Sequence, residues 1–414
     1  TVIKQRLILN GVHMTSNVEE IQPPELPGPI TWIRQNLFST WYNALLTIIS
    51  LVIIFYGLRA VINWVFFTAD WTPVTEFPLL YMVGSYPRDQ LWRVGLLLWT
   101  TTFLFGVSWG LWGDLVRPFA LTIAVMLGLA AFFPTSAESY TMAVRIAMLV
   151  NPALIYLGYH VGKIRFITSR MIVIAWLLLF FLTPILLGGF EGNEILPHIE
   201  TTLWGGFIVT ILLAAGGIIL SFPIGVALAL GRRSSLPVVK IFSTVFIEVV
   251  RGVPLVTILF MFSIILALFL PPESRLDRLM RALMAMTIFS AAYTAENVRG
   301  GLQAIPPGQV EAAKAVGLNG WQTMVFIILP QALRLVIPAI VGQFIALFKD
   351  TTLAVIVGIS ELLFIGRSII NSDPSFIQRQ LEVFIFIALL FWIISYVMSS
   401  ASRQLESQLG VGER

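Results

Sequence analysis

Ten stretches of this chain stay apolar for about twenty residues or more, at roughly 42–67, 92–112, 117–134, 141–159, 171–189, 203–230, 245–270, 281–300, 333–358 and 382–401. A hydrocarbon layer about 30 Å thick is crossed by roughly 20 residues of α-helix. A helix satisfies its own backbone inside lipid, which few other structures can do. The pattern therefore predicts an all-α integral membrane protein of about ten spans. With 57% hydrophobic and 12% charged residues and a mean hydropathy of +0.88, the chain is too apolar for water to be its only solvent. The run at 141–159 is the least regular, because Arg145 and Asn151 interrupt it and Pro152 would kink it.

A net charge of +4 is too weak for nucleic-acid binding on so large a chain, and the basic residues cluster between apolar runs, where they read as topology signals. Lys163, Arg165 and Arg170 mark one cytoplasmic loop and Arg232, Arg233 and Lys240 another, whereas the loop with Glu191, Glu194 and Glu200 carries no base. Both termini are then expected in the cytoplasm. Arg88, Arg275, Arg278 and Arg281 run against this trend on the outer side. The chain has no cysteine, and His13, His160 and His198 are scattered, which leaves no disulfide and no evident metal cluster.

Residues 1–40 read as a soluble tail, because Glu19, Glu20 and Glu25 with Pro23, Pro24, Pro27 and Pro29 break any helix before the first span. The apolar stretch from Leu45 to Phe67 is too long for a signal-peptide core. Residues 41–190 form an accessory membrane region rich in Trp and Phe. Gly106-Val-Ser-Trp-Gly110 within it fits a serine-hydrolase elbow, but it sits in an apolar helix and no base is placed to activate Ser108. It reads instead as small residues permitting close helix packing. Residues 200–405 differ, with Pro223, Pro254 and Pro338 inside long spans, and 406–414 form a C-terminal tail.

Between the eighth and ninth runs lies a segment with a folding pattern of its own. Gly300 and Gly301 can end the preceding helix, and Pro306 or Pro307 suits the first turn of a new one. That helix should stop at Gly317, and Asn319 with Gln322 can cap the next. Residues 306–330 thus read as two short helices in a compact knob, with Glu311 beside small Ala312 and Ala313 on a face that a partner's backbone could approach.

Glu311-Ala-Ala, Gly317 followed by Leu318, and Ile328-Leu-Pro330 resemble the signature of binding-protein-dependent ABC importer permeases. Phe246 to Leu255, Ala292 to Gly300, Pro330 to Pro338 and Phe348-Lys-Asp-Thr-Thr resemble the histidine, glutamine, glutamate and arginine branch. Asn297 departs from the hydrophobic residue usual there. The resemblance covers about 200–405, and the long extension before it is similar to that of permeases for polar or general L-amino acids. It implies a type I ABC importer transmembrane core preceded by a multi-helix membrane extension, in a bacterial inner membrane. It also implies alternating access, with Glu311, Ala312, Ala313, Gly317 and Leu318 coupling the chain to a separate ATPase. Further partners would be a related sister permease, as a heterodimer or a homodimer, a periplasmic binding protein, a polar L-amino acid and membrane lipid. No Gly-x-x-x-x-Gly-Lys-Ser/Thr loop is present, so the chain is expected to be no enzyme, with ATP and Mg held by the partner ATPase and no cofactor of its own.

Several charges lie in or near the spans. Lys349 and Asp350 interrupt an apolar run, where they either line a substrate path with Thr351 and Glu296 or neutralise each other at a helix break whose freed backbone groups Thr351 and Thr352 satisfy. Glu296 and Arg299 suit an ion pair three residues apart. Glu248, Arg251, Arg299 and Arg334 are candidates for a gate or for structural pairs. The rival reading is a secondary transporter driven by an ion gradient through Asp350 or Glu296, which leaves the knob unexplained.

Overall fold

The computed structural model describes residues 28–271 and 276–410. His13, Glu19, Glu20, Glu25, Pro23, Pro24, Pro27 and Arg275 lie outside these residues, as do the chain ends. Residues 1–69 and 70–414 form two separate units.

In the described part of the first unit, α1 (Pro29–Asn36) precedes α2 (Trp41–Asn63). The prolines were expected to exclude a helix here, but Pro29 opens α1 at the first helical position, where its missing N–H costs nothing. Thr40 caps α2 by accepting from the Asn43 N–H. No residue of α2 is buried within the chain, as suits a helix solvated by lipid.

The second unit is built of helices, with no named strand among its described residues. Besides the short helices Thr72–Thr75, Pro78–Val83 and Pro374–Ile377, its helices are α3 (Leu91–Trp112), α4 (Arg117–Ala131), α5 (Met142–Gly162), α6 (Ser169–Gly188), α7 (Gly206–Arg232), α8 (Pro237–Gly252), α9 (Leu255–Phe260), α10 (Leu266–Phe269), α11 (Arg278–Ala304), α12 (Pro307–Ala315), α13 (Gly320–Gln322), α14 (Leu329–Asp350), α15 (Leu362–Ile370) and α16 (Gln380–Leu409). Among the described residues seven helices are long and apolar enough to cross a membrane, or eight if one bent pair counts as a span. The expected ten are not reached, because α4 has only 15 residues and α11 carries Arg278, Arg281, Glu296 and Arg299.

The bent pair corrects the run at 245–270. Helix α8 and the α9–α10 segment meet at 107°. Pro254 removes an N–H and holds Val253 extended at φ −108° and ψ 134°. Helix α8 then exposes Val238, Ile241, Phe242, Val245 and Val249 while burying Ser243 and Ile247.

Two devices hold the helices between residues 91 and 188 to one another. The first is a glycine seam. A Cβ on Gly106 or Gly110 would lie 2.2 or 2.3 Å from the carbonyl oxygens of Ile155 and Tyr159, and one on Gly158 or Gly162 equally close to those of Phe103 and Val107. Helices α3 and α5 therefore touch backbone to backbone, the small-residue packing read from Gly106 and Gly110. Ser108 is buried there and accepts from Trp176 Nε1 at 3.0 Å, a structural role. The second device is Arg93, fully buried on α3. It donates to the carbonyls of Leu186 and Leu187 at the end of α6, at 3.5 Å each, and to Pro197 O at 3.0 Å. A cation at a helix C-terminus meets the negative end of the dipole, so the charge is buried without a carboxylate. Tyr86 adds a bond to Leu187 O at 2.9 Å.

These contacts also set the two ends of the unit. The α3 C-terminus meets the α6 N-terminus through Trp112 and Ser169, and Arg233 after α7 donates to Leu302 O near the end of α11 at 3.1 Å. The ends of α3, α5, α7 and α11 and the start of α14 thus share one end. Arg88, the Glu191–Glu200 loop, Arg278 and Gly358 share the other.

Candidate functional site

The knob begins where α11 stops. Gly300 and Gly301 do not terminate that helix, which continues to Ala304. Gly301 serves a different purpose, since a Cβ on it would lie 2.5 Å from Ala332 O on α14. Pro306 is the N-cap of α12 and Pro307 its first residue. At the far end Leu318 N–H donates to Ala313 O at 3.1 Å and Gly317 N–H to Lys314 O at 3.0 Å, with Gly317 at φ +84°. This paired closure satisfies the Ala313 and Lys314 carbonyls and requires the left-handed residue that glycine adopts at least cost.

Asn319 restarts the chain. Its side chain accepts from the Gln322 N–H at 2.9 Å, while Gln322 Oε1 accepts from the Asn319 N–H at 3.0 Å, a complete capping box. The helix it opens is not short. Helix α13 passes through a π-helical turn, Thr323–Ile328, into α14, giving a helical run from Gly320 to Val357 of 38 residues. The knob is therefore one short helix seated against the beginning of a spanning one. Gln331 Nε2 joins the two, donating to Gln309 Oε1 at 3.1 Å.

The exposed face of α12 differs from the one expected. Glu311 and Ala312 point outward, but Ala313 is 4% exposed and faces inward. Ala315 and Gly308 supply the remaining small surface, bordered by Val316 and Trp321, exposed to 76% and 71%. Leu318 is half-buried. Ile305 and Val310 pack on a core cluster containing Leu228 of α7, Val298 and Leu302 of α11 and Ile328, so the knob rests on the helices that cross the unit.

The charged candidates fall into two groups that the fold keeps apart. Near the knob end Glu296 lies among three arginines, in an ion pair with Arg299 and with Arg251 and Arg232 nitrogens at 3.5 and 3.6 Å. Glu248 pairs with Arg232 at 2.8 Å, and Arg251 stacks over Tyr293 at 5.5 Å. One network of five charges thus ties α7, α8 and α11. Arg232 reads from sequence only as a loop charge, and its place at the end of α7 was the signal that could have added it to these pairs. Arg334 stands apart and donates to Leu409 O at the end of α16 at 2.6 Å.

Lys349, Asp350 and Thr351 sit toward the opposite end, so Glu296 does not share a site with them. Helix α14 ends at Asp350 and tightens into a 3₁₀ stretch, Thr351–Val357, closed by Gly358 at φ +74°. The Thr351 and Thr352 hydroxyls donate to the Phe348 and Lys349 carbonyls at 2.7 and 2.8 Å, satisfying carbonyls that the change of helix frees. No direct ion pair joins Lys349 to Asp350 among those formed by the described residues. Glu361, unremarked in the sequence, is fully buried and caps α15 by accepting from Leu363 and Phe364 N–H at 2.8 Å each. Burial outweighs those bonds and pushes its carboxyl up to about 7.

Fold and site together define a polytopic helical membrane protein with an ordered, outward-facing helical knob. The family described as "Binding-protein-dependent transport system inner membrane component" matches residues 221–411. The "Inner membrane amino-acid ABC transporter permease protein YhdY" of Escherichia coli (strain K12) is 36% identical over 401 residues, covering 92% of this chain and 94% of that protein. The "Glutamate/glutamine/aspartate/asparagine transport system permease protein BztC" of Rhodobacter capsulatus is 34% identical, covering 94% and 95%. The "Probable glutamine ABC transporter permease protein GlnP" of Bacillus subtilis (strain 168) is 39% identical over 49% of this chain and 92% of its own. The chain belongs to this family of ABC transporter permeases, which places it in an inner membrane and gives the ion-gradient reading no support. The first two relatives also share its long N-terminal extension, since they match over nearly the whole chain.

Proposed function

We propose that this permease carries polar L-amino acids inward by alternating access, driven by a separate ATPase that holds ATP and Mg and docks on α12. The observation that carries the reading is the knob: a rigid helix exposing Glu311, Ala312, Ala315, Val316 and Trp321, with Val310 anchored to the cluster that binds α7, α11 and the start of α14. The contacts of Val310 and Ile305 would pass a push on α12 to α7, α11 and the start of α14. The network around Glu296 joins the same end of α7 and α11 to α8, so it is the natural inner latch. The 3₁₀ break at Lys349, Asp350 and Thr351 puts irregular backbone in a spanning helix, as at the substrate paths of transporters.

The cargo class rests on the relatives, whose names specify amino acids, glutamate, glutamine, aspartate and asparagine. A related sister permease, different from this chain, completes the membrane part, and a soluble binding protein delivers the cargo. The knob end, with Lys163, Arg165, Arg170, Arg232 and Arg233, faces the cytoplasm together with both termini. In proteoliposomes containing the whole complex, ATP hydrolysis should rise with liganded binding protein, and labelled amino acid should enter only with ATP. Uptake driven by an ion gradient without ATP would overturn the proposal.

A further inference from the structure

Helix α1 divides into two faces. At about 100° per residue, Pro29, Ile30, Ile33 and the capping Leu37 share one side, with Trp32 at its edge, whereas Thr31, Arg34 and Gln35 share the other. Asn36 falls on the apolar side, where its amide donates to Trp32 O at 2.9 Å and so returns a polar group to its own helix. Every residue from Gly28 to Ser39 is exposed. The apolar face is thus open, in residues that read from sequence as part of a soluble tail.

The attachment of α1 to α2 says what covers that face. Thr47, in the second turn of α2, donates its hydroxyl to Leu37 O at 2.8 Å, and Asn43 Nδ2 donates to Ser39 Oγ at 2.8 Å. The end of α1 is therefore pinned beside a point about 9 Å along α2, at 1.5 Å per residue. Trp41 and Tyr42 open α2 with their rings edge to face, centroids 5.9 Å apart, and such residues settle at the level of lipid headgroups. From Trp41 the helical run stays apolar to Thr68, and its most apolar stretch buries nothing within the chain, so lipid surrounds the element to which α1 is tied. Pointed away from the bilayer, α1 would hold Ile30, Trp32 and Ile33 in water. Laid along the surface, it places them at the boundary of headgroups and acyl chains and turns Arg34 and Gln35 to the aqueous side, the arrangement in which amphipathic helices bind membranes.

We propose that α1 is an in-plane anchor that binds the phospholipid surface through Ile30, Trp32, Ile33 and Leu37 and fixes where the chain enters α2. The chain holds no cysteine, so one fluorophore can be placed at a time. Ile33→Cys, Ile30→Cys and Gln35→Cys, each labelled with bimane, are reconstituted in phosphatidylcholine nanodiscs as the full chain, alone and again with the partner subunits added. Each is quenched from two sides, by iodide in the buffer and by phosphatidylcholine brominated near the headgroup end of one acyl chain. In Ile33→Cys and Ile30→Cys the brominated lipid should at least halve the emission, and iodide should quench at least fivefold less than in Gln35→Cys, with or without partners. In Gln35→Cys iodide should be the stronger quencher. Equal iodide quenching in all three overturns the proposal, because α1 then stands in water. Protection of Ile33→Cys and Ile30→Cys from both quenchers overturns it too, because a protein face then covers the helix.

Discussion

Replacing Gly106 with alanine should weaken the unit far more than the same change at Gly95, eleven residues earlier on the same helix. A Cβ on Gly106 would stand 2.2 Å from Ile155 O and 2.9 Å from that residue's carbonyl carbon and Cα. These are backbone atoms, which cannot rotate away, so α5 must recede by roughly 1 Å to restore normal contact. A gap of that size forfeits a quarter to a half of each dispersion contact along the rest of the seam, and overpacking itself costs about 1–3 kcal/mol. A loss of about 3 kcal/mol is expected for Gly106→Ala. At Gly95 nothing lies within 4 Å of the added carbon, and alanine gains about 0.5–1 kcal/mol over glycine inside a helix. Apparent unfolding midpoints of the two variants in detergent, by intrinsic fluorescence, should therefore move in opposite directions from wild type. Equal shifts would refute the claim that backbone contact between α3 and α5 holds this region together.

Ser108→Ala removes only the acceptor of Trp176 Nε1 and should lower stability by about 1 kcal/mol while leaving uptake intact; loss of uptake with normal stability would revive a chemical role for the serine. Glu361 gives a pH signature. Its folded carboxyl titrates at about 7 against an ordinary 4.5, so the folded form binds the proton more tightly, and stability should rise as pH falls from 7 toward 4.5 and be flat above. The thermal midpoint of Glu361→Gln should lack that rise, and an identical pH profile in both would contradict it. Gly317→Val places a β-branched residue at φ +84°, at a cost of roughly 1–2 kcal/mol. Amides of α12 should then exchange faster with deuterium, whereas those of α3 should not.

Where the sequence was legible, a local rule governed it. The stop at Gly317 and the cap at Asn319 depend on neighbours within a few residues, so residue type and spacing predict both. The glycines at 106 and 110 likewise carry the four-residue period that close packing needs. Gly158 and Gly162 carry the same period and went unremarked, because the seam has two sides and only one was considered. Tertiary contacts were harder to foresee. Gly301 resembles a helix stop until the backbone of Ala332 is found against it, and Ala313 looks exposed until α12 is seated on the core. Glu296 was linked with Lys349 and Asp350 because all are charges near apolar runs, but they lie toward opposite ends of crossing helices. Arg93 was invisible because its partners are carbonyls of Leu186, Leu187 and Pro197, about a hundred residues away, and carbonyls carry no signature in sequence.

The central claim is that force enters through α12, and Glu311→Lys tests it most directly. Glu311 is exposed and enters no ion pair among the described residues, so its replacement should change the stability of the permease by no more than about 0.5 kcal/mol. A reversed charge facing the ATPase should cost about 2–5 kcal/mol of that contact. In proteoliposomes of the whole complex, ATP hydrolysis and amino-acid uptake are measured together, with and without binding protein. The account predicts that Glu311→Lys abolishes both the stimulation by binding protein and the uptake while the permease unfolds at its normal temperature. Uptake and stimulation at wild-type levels in that variant would contradict it.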